Sequence, residues 1–347
     1  MTVARARLQR SQDPLARVRV RFSEIEGWRR YLAPLAKRAN VLPDILPTAQ
    51  VSGRWSTTRP PITNFPPELR DGTAALPGKY LAEPWCSGIF LPDEGYYWLK
   101  WDWNAIEARL EAIISGDEEE LRGYANRWDV HVLLACTLFD MPRPPVLTKA
   151  VHTAPEAAEW RDQVRWEGEE DKRRHVAKII RYNLVYARDE RGILESLDRL
   201  AEFGVDREGA ITFAKTYLAS RPIMVAAKDR VGGQAAKMGL ARTAFGRPRQ
   251  LFGNENARRK EGWSHVISGT VSDLGNMCAV RIQQAFPDAT IVMNIHDSQT
   301  WQLQEPLKDT LAVFKDIVSA PVTVWGTEYS FPASWYAYTD DGKRRAI

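Results

Sequence analysis

Residues 96–110 read Tyr-Tyr-Trp-Leu-Lys-Trp-Asp-Trp-Asn-Ala-Ile-Glu-Ala-Arg-Leu. The aromatic and apolar run before Asn104 has the composition of a buried strand. After it Ile106, Leu110 and Ile113 recur at helical spacing. Asp102 therefore stands near the end of a hydrophobic strand that runs directly into a helix. A second stretch, Ala-Thr-Ile-Val-Met-Asn-Ile-His-Asp-Ser-Gln-Thr-Trp-Gln-Leu at 289–303, reads as two strands flanking His296, Asp297 and Ser298. An isolated Asp is usually a helix cap or a surface group. One set against buried aromatics is costlier to place, which favours a functional role. Two carboxylates brought to neighbouring strands, about 4–6 Å apart, can hold two Mg²⁺ ions and clamp the attacking and leaving oxygens of a phosphoryl transfer. Mg²⁺ suits such a pair because it is bound by one or two carboxylates plus substrate phosphates.

Between these stretches, residues 172–187 read Lys-Arg-Arg-His-Val-Ala-Lys-Ile-Ile-Arg-Tyr-Asn-Leu-Val-Tyr-Ala. Arg174, Lys178, Tyr182 and Tyr186 recur every four residues, so they are expected on one helical face. Two cations followed by two rings suit a triphosphate lying along the helix with its base against an aromatic. A lone Arg-x3-Lys pair would read better as a solvated helix.

The chain has 347 residues, enough for one large or two ordinary domains. Its 44% apolar and 27% charged content is that of a soluble globular protein. A net charge of +4 permits a polyanionic partner without demanding one. Cys86, Cys136 and Cys278 form an odd set with no Cys-x2-Cys pair, which argues against a zinc site or a disulfide framework. A reducing, cytoplasmic setting is expected. No run of 18 apolar residues occurs, so no membrane span is expected. Arg5, Arg7, Arg10, Arg17, Arg19 and Arg21 face a single acid, Asp13. A solvated basic arm is favoured there over an organellar transit peptide.

No internal repeat or low-complexity tract is present. Residues 40–72 are rich in Pro, Gly, Ser and Thr and are expected to be turns with short extended pieces. Residues 116–139 are expected to continue helical, as are 171 to about 200 and 207–220. A Gly-Arg-Pro-Arg turn is expected at 246–249, a helix over 269–286, another over 308–318, and a final strand over 322–331. The expected class is α+β, a small antiparallel sheet with the helices of a second lobe inserted between its strands.

Trp101 to Leu110 resembles motif A of family A DNA polymerases, the bacterial DNA polymerase I type, whose pattern is Asp-Tyr-Ser-Gln-Ile-Glu-Leu-Arg. Asp102, Ile106, Glu107 and Arg109 match it. Residues 174–186 resemble motif B, Arg-x3-Lys-x3-Phe/Tyr-Gly-x2-Tyr, and His296-Asp297-Ser298 resembles the His-Asp-Glu of motif C. Ser52 to Thr57 is similar to Thr-Gly-Arg-Leu-Ser-Ser, Asp129-Val130-His131 to Asp-Ile-His, and Gly269-Thr270 with Asp273 to Gly-Thr-Ala-Ala-Asp. Six motifs stand in the family's order across residues 52–298.

The resemblance implies a right-hand polymerase fold, with a basic helical segment or thumb remnant over 1–50, palm over 51–125 and 265–347, and fingers over 126–264. It implies that Asp102 and Asp297 are catalytic metal ligands for two Mg²⁺ ions, with Mn²⁺ as an alternative. Lys178 is implied as proton donor to the departing pyrophosphate. Arg174, Lys178, Tyr182, Tyr186, His131 and Glu107 are implied in nucleotide binding. Glu107 matches the group that crowds the ribose 2′ position, where RNA and DNA differ. Tyr182 implies acceptance of nucleotides lacking a 3′-hydroxyl. Arg54, matching a residue near the primer end, is expected to contact DNA with Asn64, Arg109 and His296. Arg247 and Arg249 are expected phosphate contacts. The implied partners are primer–template DNA and dNTPs.

Four departures qualify the match. Ser298 stands where motif C carries Glu, which implies an altered metal response. Asn183 and Ala187 replace two glycines of motif B, and Ser264 and Ser268 replace Asn and Gln. Only 53 residues precede Arg54, so a reduced or split form lacking the exonuclease and most of the thumb is expected, with a protein partner supplying them. The rival expectation is a DNA-binding or scaffold subunit with impaired catalysis. An RNA polymerase or reverse transcriptase is disfavoured by Glu107 and by the motif B spacing.

Overall fold

Strand β3, Tyr97–Trp103, alternates between two environments in the computed structural model. Leu99, Trp101 and Trp103 are buried on one face, while Lys100 and Asp102 are half-buried on the other. The structure describes residues 44–46, 50, 52–58, 92–186, 190–304, 306–338 and 344–347. The Arg-rich arm, Asn64 and Cys86 lie outside them. Among the described residues no helix is long and apolar enough to cross a membrane.

Two compact units divide the chain. The first holds residues 1–104, 274–320 and 331–347, and the second holds 105–273 and 321–330.

In the first unit, Asp44–Leu46 (β1) pairs with Ser56–Thr58 (β2). A five-stranded antiparallel sheet is centred on β3. The hairpin of β6, Thr290–Ile295, and β7, Ser298–Leu303, lies on one side of it. On the other side lie β10, Ala333–Tyr338, and β11, Arg344–Ala346. The helical layer comprises α10, Thr270–Ala285, from Leu274 onward, and α11, Leu307–Val318. Trp301 meets Phe314 of α11 edge-on at 6.1 Å between ring centroids, and the Trp103 indole donates to the Val318 carbonyl at 3.4 Å. Each fully buried aromatic contributes on the order of 2–3 kcal/mol, so this face fixes which way β3 presents its alternate residues.

The second unit is mainly helical. Helices α1, Ile106–Ser115, α2, Glu118–Ala125, and α3, Val130–Leu138, are followed by α4, Ala158–Val164, and α5, Lys172–Leu184. Next come α6, Leu197–Ala201, α7, Arg207–Ala219, and α8, Pro222–Met238. A hairpin of β4, Leu240–Arg242, and β5, Pro248–Gln250, precedes α9, Glu255–Ser264. A π-helical turn, His265–Gly269, leads into α10, and Val322–Val324 (β8) pairs with Thr327–Tyr329 (β9). Asp side chains accept backbone N–H groups at the starts of α2, α3, α5 and α7, which is why these helices begin where they do. At Gly262 a Cβ would come within 2.6 Å of the Ala235 side chain, so α8 and α9 approach closely only because the side chains there are small.

Several expected elements differ. The helix expected over 116–139 breaks at 126–129, where Arg127 takes φ 56° and Asp129 caps a new helix. The helix expected from 171 to 200 ends at Leu184 and resumes after a 3-10 segment, Glu190–Ser196. The expected strand over 322–331 is two short strands joined at Trp325 and Gly326, both with positive φ. Strand β10 beyond it carries no sequence expectation.

Candidate functional site

Asp102 faces Ser298 across the β3–β7 pairing and Ser334 across the β3–β10 pairing. The hairpin turn between β6 and β7 consists of His296 and Asp297, because Ile295 pairs directly with Ser298. His296 holds φ 55°, a positive value that the first central residue of such a tight turn requires. The Asp297 carbonyl accepts the Trp103 N–H at 3.1 Å, so the backbone at one acid is tied to the residue following the other. Both aspartates are half-buried and His296 is exposed. The strand pairing thus brings together the two acids named from sequence, although they lie far apart in the chain.

Ser298 is buried, and its hydroxyl donates to the Ile295 carbonyl at 3.0 Å. Ser334 donates to Asn104 at 2.8 Å. Among the described residues no group of three or more His, Cys, Asp or Glu side chains converges to form a closed metal site. Two oxygen-donor acids, one on β3 and one in the adjoining hairpin turn, instead fit a hard cation that completes its shell with substrate phosphates and water.

A second group of residues lies on α5 and α3 in the second unit. Lys178 and Tyr182 are exposed one turn apart on α5, with Tyr182 45% exposed. Arg174 stands a further turn toward the N-terminus. His131, in the first turn of α3, places its ring 5.9 Å from that of Tyr182. Burial pushes the His131 imidazole down to about 3, and the charges of Arg181, Arg174 and Lys178 add to that against the opposing pull of Asp129. It is therefore a neutral ring in a positive field. Tyr186 lies two residues beyond the end of α5 at Leu184. Lys228 donates to the Leu184 carbonyl, and the Trp263 indole donates to the Val185 carbonyl at 2.8 Å. These bonds satisfy acceptors at the helix end.

Glu107 is half-buried in the first turn of α1. Arg54 is half-buried just before β2, beside Trp55, whose indole donates to Asn276 at 2.8 Å. Arg109, expected to contact DNA, is instead buried in the second unit. Its guanidinium lies over the Tyr124 ring at 4.4 Å and donates to the Tyr329 hydroxyl at 2.8 Å. Arg247 is bound to Asp273 at 2.6 Å and to the Gly269 carbonyl, while Arg249 pairs with Glu261 at 3.1 Å. Asn64 lies outside the described residues.

Sequence reasoning missed the charge cluster beneath α5. Arg181, adjacent to Tyr182, is buried and bonds Glu120 and Tyr124 of α2, and Glu120 also pairs with Arg221 at 3.0 Å. Asp171 and Asp129 are likewise buried anchors. Both precede helical runs in the sequence, which is the signal that marks a cap.

The model of DNA polymerase family A matches residues 6–323. DNA polymerase I of Pseudomonas aeruginosa is 25% identical over 267 residues, covering 74% of this chain and 25% of that protein. The thermostable DNA polymerase I of Thermus thermophilus is 24% identical over 306 residues, covering 79% of this chain and 32% of its own length. The chain thus spans about a quarter to a third of these relatives. Among solved structures, the POL domain of Pol1 from M. smegmatis, in complex with DNA primer–template and dNTP, superposes with a TM-score of 0.67 at 18% identity. That match covers 92% of this chain and 52% of the other, and it shows a shared fold.

Proposed function

Because the chain belongs to DNA polymerase family A, we propose that it is the core of a template-directed DNA polymerase that joins dNTPs to a primer 3′-hydroxyl. The observation that carries this reading is the strand pairing that sets Asp102 beside the Asp297 turn. A solved structure sharing the fold is a complex with primer–template and dNTP, which supports the same substrates here.

Asp102 and Asp297 are the groups that would hold two Mg²⁺ ions, with Mn²⁺ as an alternative. Such ions, when bound, neutralise charge on the α-phosphate and favour an in-line displacement. The chain's own residues do the remaining work. The Arg174 fork and the Lys178 ammonium bind the triphosphate, Lys178 gives a proton to the departing pyrophosphate, and neutral His131 donates its ring N–H to a phosphate oxygen. Tyr182 stacks on the base and sugar, with Tyr186 near the helix end. Glu107 crowds the ribose 2′ position and so favours deoxynucleotides. Arg54, Asn64, His296 and the basic hairpin bearing Arg247 and Arg249 are assigned to the nucleic-acid backbone and primer end. In this reading 51–125 and 265–347 form the palm and 126–264 the fingers.

Primer extension on defined templates tests the assignment. Addition of the base complementary to each template position, dependent on a divalent ion and preferring dNTPs to rNTPs, is expected. Equal use of both sugars, or addition that ignores the template, would contradict it. A second reading, a DNA-binding subunit without catalysis, draws on Ser298 in the position of the motif C acid. It calls for primer–template binding with no extension.

A further inference from the structure

Four side chains form a buried hydrogen-bonded chain that ends on α5. The Trp166 indole N–H approaches His152 Nδ1 at 3.1 Å, with the two rings 22° from parallel. An indole nitrogen can only donate, so Nδ1 of His152 accepts and Nε2 carries the ring proton. That nitrogen lies 3.3 Å from Asp129 Oδ2. The same oxygen receives both Nε and Nη2 of Arg174, each at 3.1 Å. The other oxygen, Oδ1, accepts the backbone N–H groups of His131 at 3.1 Å and Val132 at 3.2 Å. The Asp129 and His152 side chains are only 2% and 4% exposed.

We propose that Asp129, oriented by His152 and Trp166, is the positioning residue for triphosphate recognition, aiming the Arg174 guanidinium while fixing the helix turn that carries His131. One carboxylate thereby sets both groups. The inference rests on the polymerase reading above and adds residues that the shared motifs do not assign a role.

Arginine has five N–H donors in a rigid fork. Asp129 takes the edge formed by Nε and Nη2, which leaves the end of the fork, with Nη1, directed away. Among the described residues, Nη1 reaches the Glu169 carbonyl, at 3.5 Å. A long side chain ordered beforehand loses little rotamer freedom when its ligand arrives, so prior ordering strengthens binding. A buried carboxylate can serve this purpose because four hydrogen bonds and the Nη2 ion-pair contact meet its two oxygens.

Steady-state primer extension with Asp129→Asn and Trp166→Phe tests the proposal. Asparagine retains an oxygen for the two α3 amides but turns an NH2 donor toward the Arg174 fork. Its dNTP KM is expected to rise about tenfold, with kcat changed less than about threefold and primer–template affinity unchanged. Trp166→Phe keeps an aromatic ring at the position and removes the donor that fixes His152, and its KM is expected to rise about threefold. Trp166→Phe carries the test if Asp129→Asn does not fold. Unchanged KM values, or a KM that falls because Asp129 competes with phosphate for Arg174, would overturn the proposal. A wild-type chain that extends no primer would instead defeat the polymerase reading. Equilibrium dialysis with labelled dNTP would then decide the inference alone, since equal binding by wild type and both variants refutes it.

Discussion

Asp102 and Ser298 are directly paired across β3 and β7, so a carboxylate faces a hydroxyl at the edge of the proposed metal site. A residue at 298 projects on the same sheet face as Asp102, because directly opposed residues in an antiparallel pair share a face.

Ser298→Glu therefore sets a second carboxylate opposite Asp102. Like charges across a pair cost about 0.2–1 kcal/mol without a cation, and a bound cation reverses the sign of that interaction. The Mg²⁺ concentration for half-maximal primer extension is expected to fall several-fold. A metal titration unchanged from wild type would show that position 298 does not face the ions.

The Arg181–Glu120–Arg221 cluster anchors α5 from below. Burial favours protonation of Glu120, but the charges of Arg181 and Arg221 outweigh it and hold the carboxyl below its usual range. Glu120→Gln takes the shared acid from two buried guanidinium groups and leaves Arg221 its pairing with Asp117 at 3.3 Å. The expected loss is about 3 kcal/mol in chemical denaturation, the scale for breaking one side of a buried pair. A loss under about 0.5 kcal/mol, the scale of a surface change, would place the cluster in effective contact with solvent.

Lys228 pairs with fully buried Glu111 at 3.2 Å and also caps the end of α5. Lys228→Met strands the Glu111 charge, with an expected cost of about 3–5 kcal/mol. Combining it with Glu111→Gln is expected to recover a large part of that loss. Equal stability of the single and double variants would rule out an energetic coupling between the two side chains.

His131 gives a pH dependence of definite sign. Its pKa falls from the ordinary 6.5 to about 3 on folding, so the unfolded chain binds the extra proton first. The associated stability is fully present above pH 6.5 and is lost as pH falls toward the folded value. Between pH 6.5 and 5 the loss is about 2 kcal/mol. His131→Asn is expected to flatten the denaturation free energy over that window. The same slope in variant and wild type would assign the proton uptake to another group.

The sheet around the acids was legible because two signals coincide there. Alternating aromatics mark β3, and the β-branched runs on both sides of His296-Asp297-Ser298 mark a hairpin, whose turn the strand pairing narrows to His296 and Asp297. Arg174, Lys178 and Tyr182 were legible for the same reason, as a periodic spacing on one helix. The Asp129–His152–Trp166 chain has no such period. Its links to Arg174 and to each other span 45, 23 and 14 residues, and only packing of α3 and α5 with the intervening turns brings them together. The end of α5 at Leu184, two residues before Tyr186, carries no such signal either, because the groups that bond its last carbonyls, Lys228 and Trp263, come from elsewhere in the chain. At Trp325-Gly326 a hairpin turn carried no Asn-Gly or Asp-Gly signal, and two strands therefore read as one.

The most direct measurement is single-turnover nucleotide addition to a primer–template by Asp102→Asn and Asp297→Asn beside the wild-type chain, with DNA binding measured in parallel. Both variants are expected to bind primer–template at least as tightly as wild type, since each loses a negative charge, and to add nucleotide at least about a thousandfold more slowly. Addition at the wild-type rate by either variant would remove that acid from the reaction and contradict the account.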